Sequence, residues 1–568
     1  MTNRTELNKC SRMPFQSRIE LALAEWKKVL PAEKIIIDAN FVYGASTTGD
    51  RRTIPLALKA ESRDEVIAVM KIASAYLIPV YPISTGKNWG YGASNPVQND
   101  CVLLDLSLMN RIIEVNADLC YVRLEPGVTQ QQLFDYFETH NLDFMVPVTG
   151  AGPTCSILGN LLERGYGITP HTDHFGALLS LEAVLSDGQI YRSALEENAG
   201  QELNQAFKWG VGPYLDGLFS QSNLGIVTSA TIAIQKRPEV YEAFLFRLTS
   251  ESQLPAAVEA VREIIQTLGS TVGGINLMNS HRVLSMSASY PKHLIPEGQT
   301  MTEEMVKNMT RQYQIPAWTG AGAIYGNKYV VKAAKKVIKK TLKRHASGLI
   351  FVSPKKANAL NSISQILSRI LPAKGGIISR LNSMTTNLAN LLRILGGEPT
   401  EVALPLSYMK SGRLPQPGRS LDPAKDGCGL MWYSPLVPMV PEKVLEYVET
   451  TKRICLENGI EPLITLTSIS ERCFDSTVPI LFDKASPLET ENARRCYEVL
   501  LNSGRLRGFF PYRFGISQMK HLMEGSSTFW WLVSKVKSAF DPFNLLSPGR
   551  YELLGSESIR MKNEIEKG

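Results

Sequence analysis

Ser84-Thr-Gly-Lys-Asn-Trp-Gly-Tyr-Gly-Ala-Ser94 is the stretch that decides how the chain is read. It follows Ile78 to Ile83, a run of strand length, and sets three glycines in a polar loop where backbone amides can face an anion without Cβ hindrance. Before the strand, Ser62 to Leu77 opens with a capping box (Ser62 with Glu65) and places Val66, Val69, Met70, Ala73 and Leu77 on one helical face. Helix, strand and glycine-rich loop in that order predict a phosphate cradle. The loop matches neither the Walker pattern nor G-x-G-x-x-G, so a plain turn is the competing reading.

Outward from this loop the order of elements is mixed. Val102 to Leu106 reads as a buried strand, Cys120 to Glu125 alternates apolar and polar residues, and Thr129 with Gln132 caps a helix running to about His140. Leu181 to Tyr191 carries Asp187-Gly188 between two apolar runs, the mark of a tight hairpin. Antiparallel members are therefore expected, which argues against a purely parallel doubly wound sheet. Small-residue segments recur at Thr149 to Asn160, Glu163 to Gly167 and Gly225 to Thr228, and three of them in one half of the chain point to an extended ligand.

From about Glu242 the texture changes. Ser250 to Gly269 reads as helix, Val272 to Met278 as strand, and Trp318 to Tyr325 leads into a strongly amphipathic Lys328 to Arg344, so a second domain is expected. Residues 345–425 are richer in Pro, Gly, Ser and Lys and are expected to wrap the surface as long connections, with short helical stretches such as Asn387 to Leu395. No repeat of fixed period is found.

Length and composition bound the function. The 568 residues amount to three or four domains' worth at about 150 residues each. An apolar share of 44% and a charged share of 20% exclude a disordered chain. The net charge, 61 − 54 = +7, is too thinly spread for a nucleic-acid binder. The eight cysteines are far apart, without C-x-x-C pairs or zinc spacing, and read as reduced thiols. The polar start Met1 to Lys9 and the lack of any 18-residue apolar run lead to the expectation of a cytoplasmic protein.

The runs Pro82 to Gly92, Leu158-Gly-Asn160, Glu163-Arg-Gly-Tyr-Gly-Ile-Thr-Pro170, Gly212 to Thr228 and Ser547-Pro-Gly549 resemble, in order along nearly the whole chain, the vanillyl-alcohol oxidase and p-cresol methylhydroxylase flavoproteins. The resemblance implies an α+β, two-domain flavoprotein: an FAD-binding domain of two α/β subdomains (1–240, completed by 501–568) and a cap domain with a large antiparallel sheet (241–500). It implies that Ser84, Thr85, Gly86, Lys87, Asn88, Gly90 and Tyr91 wrap the cofactor, and that Ser156, Gly159, Asn160, Gly165, Ile226, Val227 and Arg550 line the rest of it.

In such enzymes a para-substituted phenol is bound as phenolate, hydride leaves its benzylic carbon for flavin N5, and a quinone methide results. Tyr91, Tyr512 and Arg513 stand where the family has its phenolate donors, and a cation with two hydroxyls suits that task. The competing reading has Tyr91 packing on flavin and Arg513 paired with a carboxylate. Glu471 and Arg472 fall where cap residues of the family approach the substrate, and Glu471 is the expected proton-handling group, against a plain salt bridge.

Two departures from the family matter. Gly429 takes the place of the linking His or Tyr ahead of Trp432-Tyr-Ser-Pro435, and the glycine-rich loop holds no histidine, so the FAD is expected to be non-covalent. Val148, or Thr149 on a shifted register, stands where the oxidase has an Asp beside N5. Without that base, alcohol oxidation or desaturation is expected to outrun hydroxylation.

No metal site is expected: His171 and His174 offer too few ligands in one segment. Lys328 to Arg344 holds eight basic residues and no acidic one. It could meet an anionic membrane or an acidic electron carrier, but a solvated outer face of a cap helix is the favoured reading. The expected partners are a small phenolic or alcohol substrate and an acceptor that is oxygen or a redox protein; a homodimer is compatible. Two rivals stay open: a flavin dehydrogenase of a non-phenolic hydroxy acid, with Arg513 on the carboxylate, and a flavin-binding partner protein without catalysis.

Overall fold

The computed structural model describes residues 10–370, 376–412, 415, 418–523 and 527–552. The polar start, residues 1–9, and the last part of the expected C-terminal segment, 553–568, lie outside them. Ser62 accepts a hydrogen bond from the Glu65 amide at 3.2 Å and starts the helix Arg63–Tyr76. Its Val66, Val69, Met70 and Ala73 are buried in one core with Leu58, Val80, Val102 and Leu104, and with Trp26 of the helix Phe15–Val29. The strands under this helix form a four-stranded sheet in the order Ile35–Ile36, Ala57–Lys59, Val102–Asp105, Val80–Ile83. Its last two pairs are parallel.

A second sheet is antiparallel, in the order Ile112–Asn116, Tyr121–Leu124, Ile226–Ala233, Leu178–Val184, Ile190–Arg192. The hairpin at Asp187-Gly188 forms as expected, with Val184 opposite Ile190 and Gly188 in the left-handed region (φ 84°). Both reciprocal bonds of the Thr129–Gln132 capping box are present at the start of the helix Gln130–Thr139.

The large antiparallel sheet begins at Val240–Leu248. Among the described residues it runs in the order Ser347–Val352, Val240–Leu248, Trp318–Gly326, Asn276–Asn279, Thr465–Ser468, Cys473–Phe482, Pro435–Pro438, Phe510–Pro511, with Gly429–Tyr433 also paired to Cys473–Phe482. Gly322 and Gly320 lie opposite Phe244 and Phe246, and a Cβ at either glycine would stand 2.5 or 2.1 Å from the ring. The two rings fill the space that the glycines leave. The helix Lys328–Leu342 buries Val331, Ala334, Ile338 and Leu342 in this core and ties Lys335 to Glu242 at 2.6 Å.

Two expectations need correction. Residues 345–425 do not simply wrap the surface: Pro354–Ile370 and Gly376–Leu395 are long helices packed on each other. Apolar positions spaced through Ala357, Leu388, Leu391, Leu392 and Leu395 supply a buried face that the loop-like composition conceals. The boundary expected at residue 500 falls inside the helix Pro487–Arg507, and Phe510–Pro511 still pairs in the large sheet. The chain rejoins the first sheet later, where the Ser547 amide bonds the Val80 carbonyl at 2.9 Å.

Candidate active site

The loop after Val80–Ile83 closes one part of a cavity of about 460 Å³. Ser84, Thr85, Gly86, Lys87 and Asn88 line it in succession, and Tyr91 lines it further along. Gly90 does not. Its backbone is left-handed (φ 79°), its carbonyl accepts from the Trp432 amide at 3.3 Å, and a Cβ there would stand 2.2 Å from Trp432 Cδ1. Gly90 therefore serves a close approach between this loop and the large sheet.

Ser156, Gly159 and Asn160 line the facing wall. The Ser156 hydroxyl accepts from the Gly159 amide at 2.8 Å, and a Cβ on Gly159 would fall 2.5 Å from Ser84 Oγ, so the two walls touch. Ile226 and Val227 line the cavity from the start of their strand, and Arg550 reaches it from the C-terminal segment. Gly165 stays outside, packed on the Asn160 side chain, which bonds His174 Nδ1 at 2.6 Å. Burial pushes His174 down to about 4, so the ring is neutral and structural.

Tyr91, Tyr512 and Arg513 come together. The Tyr91 hydroxyl is 3.1 Å from Ser434 Oγ, and burial, partly offset by Arg513, pushes it up to about 12. Tyr512 is also raised by burial, meets Tyr166 edge-on at 5.3 Å, and makes no hydrogen bond through its hydroxyl to any described residue. Arg513 donates to Asn88 Oδ1 at 2.5 Å and lies 3.1 Å from a Glu163 oxygen. The other Glu163 oxygen pairs with Arg550, which also donates to the Tyr81 hydroxyl at 2.7 Å. Burial acts to raise Glu163, but the two guanidiniums overcome it and hold the carboxyl below its usual range.

Glu471 is elsewhere. It lies in the turn between Thr465–Ser468 and Cys473–Phe482, partly exposed, ion-paired with Arg472, and does not line the cavity. The carboxylate behind this wall is Asp475, two residues before the lining Thr477 and so on the same strand face. Asp475 is 4% exposed, its Oδ1 has no hydrogen-bond partner, and burial pushes it up to about 8. An Asp inside Cys-Phe-Asp-Ser-Thr-Val is the signal sequence reading passed over.

Glu163, Ser434 and Arg282 also line the cavity without having been expected there. Val148 is buried in the core under the second sheet, while Thr149 lines the cavity and bonds Gln130 Nε2 at 2.9 Å, so no carboxylate occupies that place. A Cβ at Gly429 would point at the Phe482 carbonyl, 2.2 Å away, and Leu430 faces the cavity instead. Cys155 lines the cavity too, but burial pushes its thiol up to about 12, which keeps it protonated and unreactive. All eight cysteines are free. Among the described residues no group of three or more His, Cys, Asp or Glu could hold a metal, and no helix is long and apolar enough to cross a membrane.

The lining suits a flavin dinucleotide. Loop amides, hydroxyls and the Arg550 cation are donors for an anionic cofactor, and Ile226, Val227, Leu404, Leu406, Leu430 and Trp432 add apolar lining for a flat ring system.

Residues 55–194 match the family model described as an FAD binding domain. The chain is 32% identical over 537 residues to the 1'-carboxy-chondrochloren decarboxylase of Chondromyces crocatus, covering 94% of this chain and 97% of that one. It is 26% identical to the 4-cresol dehydrogenase [hydroxylating] flavoprotein subunit of Pseudomonas putida, covering 93% and 92%. Among solved structures, p-cresol methylhydroxylase with substrate bound superposes with a TM-score of 0.82 at 24% identity, covering 95% of this chain and 97% of that one. The 4-ethylphenol oxidase of Gulosibacter chungangensis in its isoeugenol complex gives 0.82 at 23%, covering 95% and 98%. The last two establish the α+β, two-domain architecture.

Proposed function

The chain belongs to the vanillyl-alcohol oxidase and p-cresol methylhydroxylase family of FAD-dependent oxidoreductases, and from that premise we propose that it takes hydride from the benzylic or alcohol carbon of a para-substituted phenol. The observation that carries this reading is the convergence of Tyr91, Tyr512 and Arg513 on one cavity.

Ser84 to Asn88, Ser156, Gly159, Asn160, Ile226, Val227 and Arg550 would hold the FAD, in the part of the chain formed by residues 1–240 with the C-terminal segment; the large sheet and its helices, from 241 to about 511, cover it as a cap. When bound, FAD supplies the acceptor for the hydride. Arg513 and the free hydroxyl of Tyr512 stabilise the ionised phenol, and the negative oxygen pushes electrons through the ring toward the benzylic carbon at its para position as hydride leaves that carbon. Glu163 neutralises only part of the positive charge, because it is shared between Arg513 and Arg550. Asp475, whose carboxyl is pushed up to about 8 by burial, lies behind this wall within electrostatic reach of Tyr91 and Tyr512, which supports a role for it in setting the charge at this end of the site. The apolar side of Leu404, Leu406 and Leu430 excludes water. The absence of a side chain at Gly429, where the family has its linking His or Tyr, supports a flavin held without a covalent bond.

The name of the 32% identical relative favours a second outcome of the same first step. If the carbon next to the benzylic one bears a carboxylate, its C–C bond electrons collapse into the quinone methide. Carbon dioxide leaves, the ring oxygen regains its negative charge, and an alkene remains; the only electrons lost are the pair removed with the hydride.

Anaerobic bleaching of the flavin tests the reading. Para-alkylphenols are expected to bleach it; bleaching by hydroxy acids alone would overturn the phenolic assignment, and bleaching by no compound would mean a protein that binds flavin without catalysis.

A further inference from the structure

Among the described residues, Arg282 is the cation lining this cavity that no carboxylate pairs with. It is the third residue of the helix Ser280–Ser287, whose first turn is capped by Asn279. The preceding strand, Asn276–Asn279, lies two strands from Thr477 across the large sheet: Met278 is opposite Thr465, and Thr465 is opposite Thr477. Arg282 thus enters the cavity from the helix that follows a strand two removed from the one carrying Thr477 and Asp475.

The other lining cations are accounted for. Lys87 pairs with Asp422 at 2.5 Å, and Arg513 and Arg550 share Glu163. Arg282 has no carboxylate within ion-pairing distance among the described residues; its guanidinium contacts the Ser285 hydroxyl at 3.2 Å. Loss of hydration, with no negative charge to offset it, pulls its pKa down to about 10, so it is still charged at neutral pH. A half-buried guanidinium that lines a cavity without a counterion is best complemented by a planar anion with two oxygens. The Ser84 to Lys87 loop and Arg550, which would hold the cofactor, belong to the first sheet and the C-terminal segment, whereas Arg282 comes from the cap.

Resting on the phenolic reading above, we propose that Arg282 binds a carboxylate on the para side chain of the substrate, so that the substrate is a phenol at one end and an acid at the other. The cavity then grips the molecule at two charged points. Arg513 and Tyr512 hold the phenolate, Arg282 holds the acid, and the benzylic carbon is fixed between them. This is a specificity determinant and holds whether the carboxyl group stays or leaves as carbon dioxide.

The test is anaerobic flavin reduction of the holoprotein by 3-(4-hydroxyphenyl)propanoate, its methyl ester and 4-ethylphenol. The acid is expected to be preferred to the ester in the unaltered protein; equal or reversed preference overturns the proposal. In Arg282→Gln the acid-to-ester ratio of second-order rate constants is expected to fall about 100-fold. An unchanged ratio in a variant of normal flavin content overturns it. If Arg282→Gln does not retain flavin, Arg282→Lys is read in the same way: a ratio lowered severalfold supports a planar two-point contact, and an unchanged one refutes it. Bleaching by 4-ethylphenol but no preference for the acid sinks this proposal alone, whereas bleaching by none of the three removes the phenolic reading and this proposal with it.

Discussion

The guanidinium of Arg513 lies 4.3 Å from the centroid of the Tyr91 ring. That contact joins a residue of the glycine-rich loop to one that follows the last strand of the large sheet, and it places a fixed positive charge beside two phenolic hydroxyls. An anion that enters here meets donors already oriented, so little reorganisation is needed as charge moves into the ring.

Arg513→Ala and Tyr512→Phe should slow flavin reduction by a phenolic substrate by about 30-fold to several thousand-fold, equivalent to roughly 2 to 5 kcal/mol. Flavin content should stay near normal, because Glu163 keeps Arg550 as its partner. Stopped-flow reduction with parallel absorbance spectra measures both, and unchanged rates in both variants would remove the phenolate role.

Asp475 makes stability depend on pH in a definite direction. Its carboxyl is raised by burial to about 8, so between about pH 4 and 8 the folded chain keeps a proton that the unfolded chain has released. The group's contribution is therefore most favourable below about pH 4 and is lost as the pH rises through 8. Asp475→Asn should melt higher than the parent at pH 9, with a gain on the order of a few kcal/mol that shrinks toward pH 4. The same substitution should abolish an inflection near pH 8 in the reduction rate. A pH-independent difference in melting would show that Asp475 is not protonated in the fold.

Acid precipitation should release the yellow colour into the supernatant. Flavin that instead migrates with the polypeptide on a denaturing gel would mean that a residue other than Gly429 makes the link.

Turnover of 4-ethylphenol in water labelled with oxygen-18 should give mainly 4-vinylphenol, since no carboxylate stands at Val148 or Thr149 to draw a proton from water. Whatever labelled alcohol forms should disappear in Asp475→Asn and persist in Glu471→Gln. Labelled alcohol as the main product would show that hydration has an efficient base.

Gly90→Ala should lower the melting temperature and the flavin content together. The new Cβ would have to displace the Trp432 ring while adopting a left-handed backbone, a cost of about 1 to 3 kcal/mol or more. Wild-type melting would mean that the loop and the large sheet can separate freely.

Local chemistry made much of this legible in advance. The Ser84 to Asn88 loop announces itself because glycines after a strand have few other uses, and the hairpin at Asp187-Gly188 and the Thr129 cap depend on neighbours only a few residues away. Tyr91, Tyr512 and Arg513 were reached through resemblance, and the structure brings them together. Asp475 and Arg282 were not legible, because nothing nearby in sequence says that the strand carrying one is covered on both faces or that the helix carrying the other faces a cavity. Glu471 looked the better acid because it sits in a turn, where acids are common, and that is also why it is solvated and paired with its neighbour. The helices Pro354–Ile370 and Gly376–Leu395 were obscured by Ser, Lys and Gly in a segment whose helicity rests on mutual packing.

Glu163 gives the C-terminal segment a meaning that its position near the end of the chain conceals. Arg513 and Arg550 bracket a long excursion of the polypeptide, and both return to the same carboxylate, so the excursion is latched at its two ends by one residue from the first half of the molecule. Shortening the protein before Arg550 would leave Glu163 to Arg513 alone and draw that cation away from the phenol. The segment that ends in Arg550 is thus an adjuster of the charge on Arg513, and a truncation ahead of Arg550 is expected to be felt in the cavity.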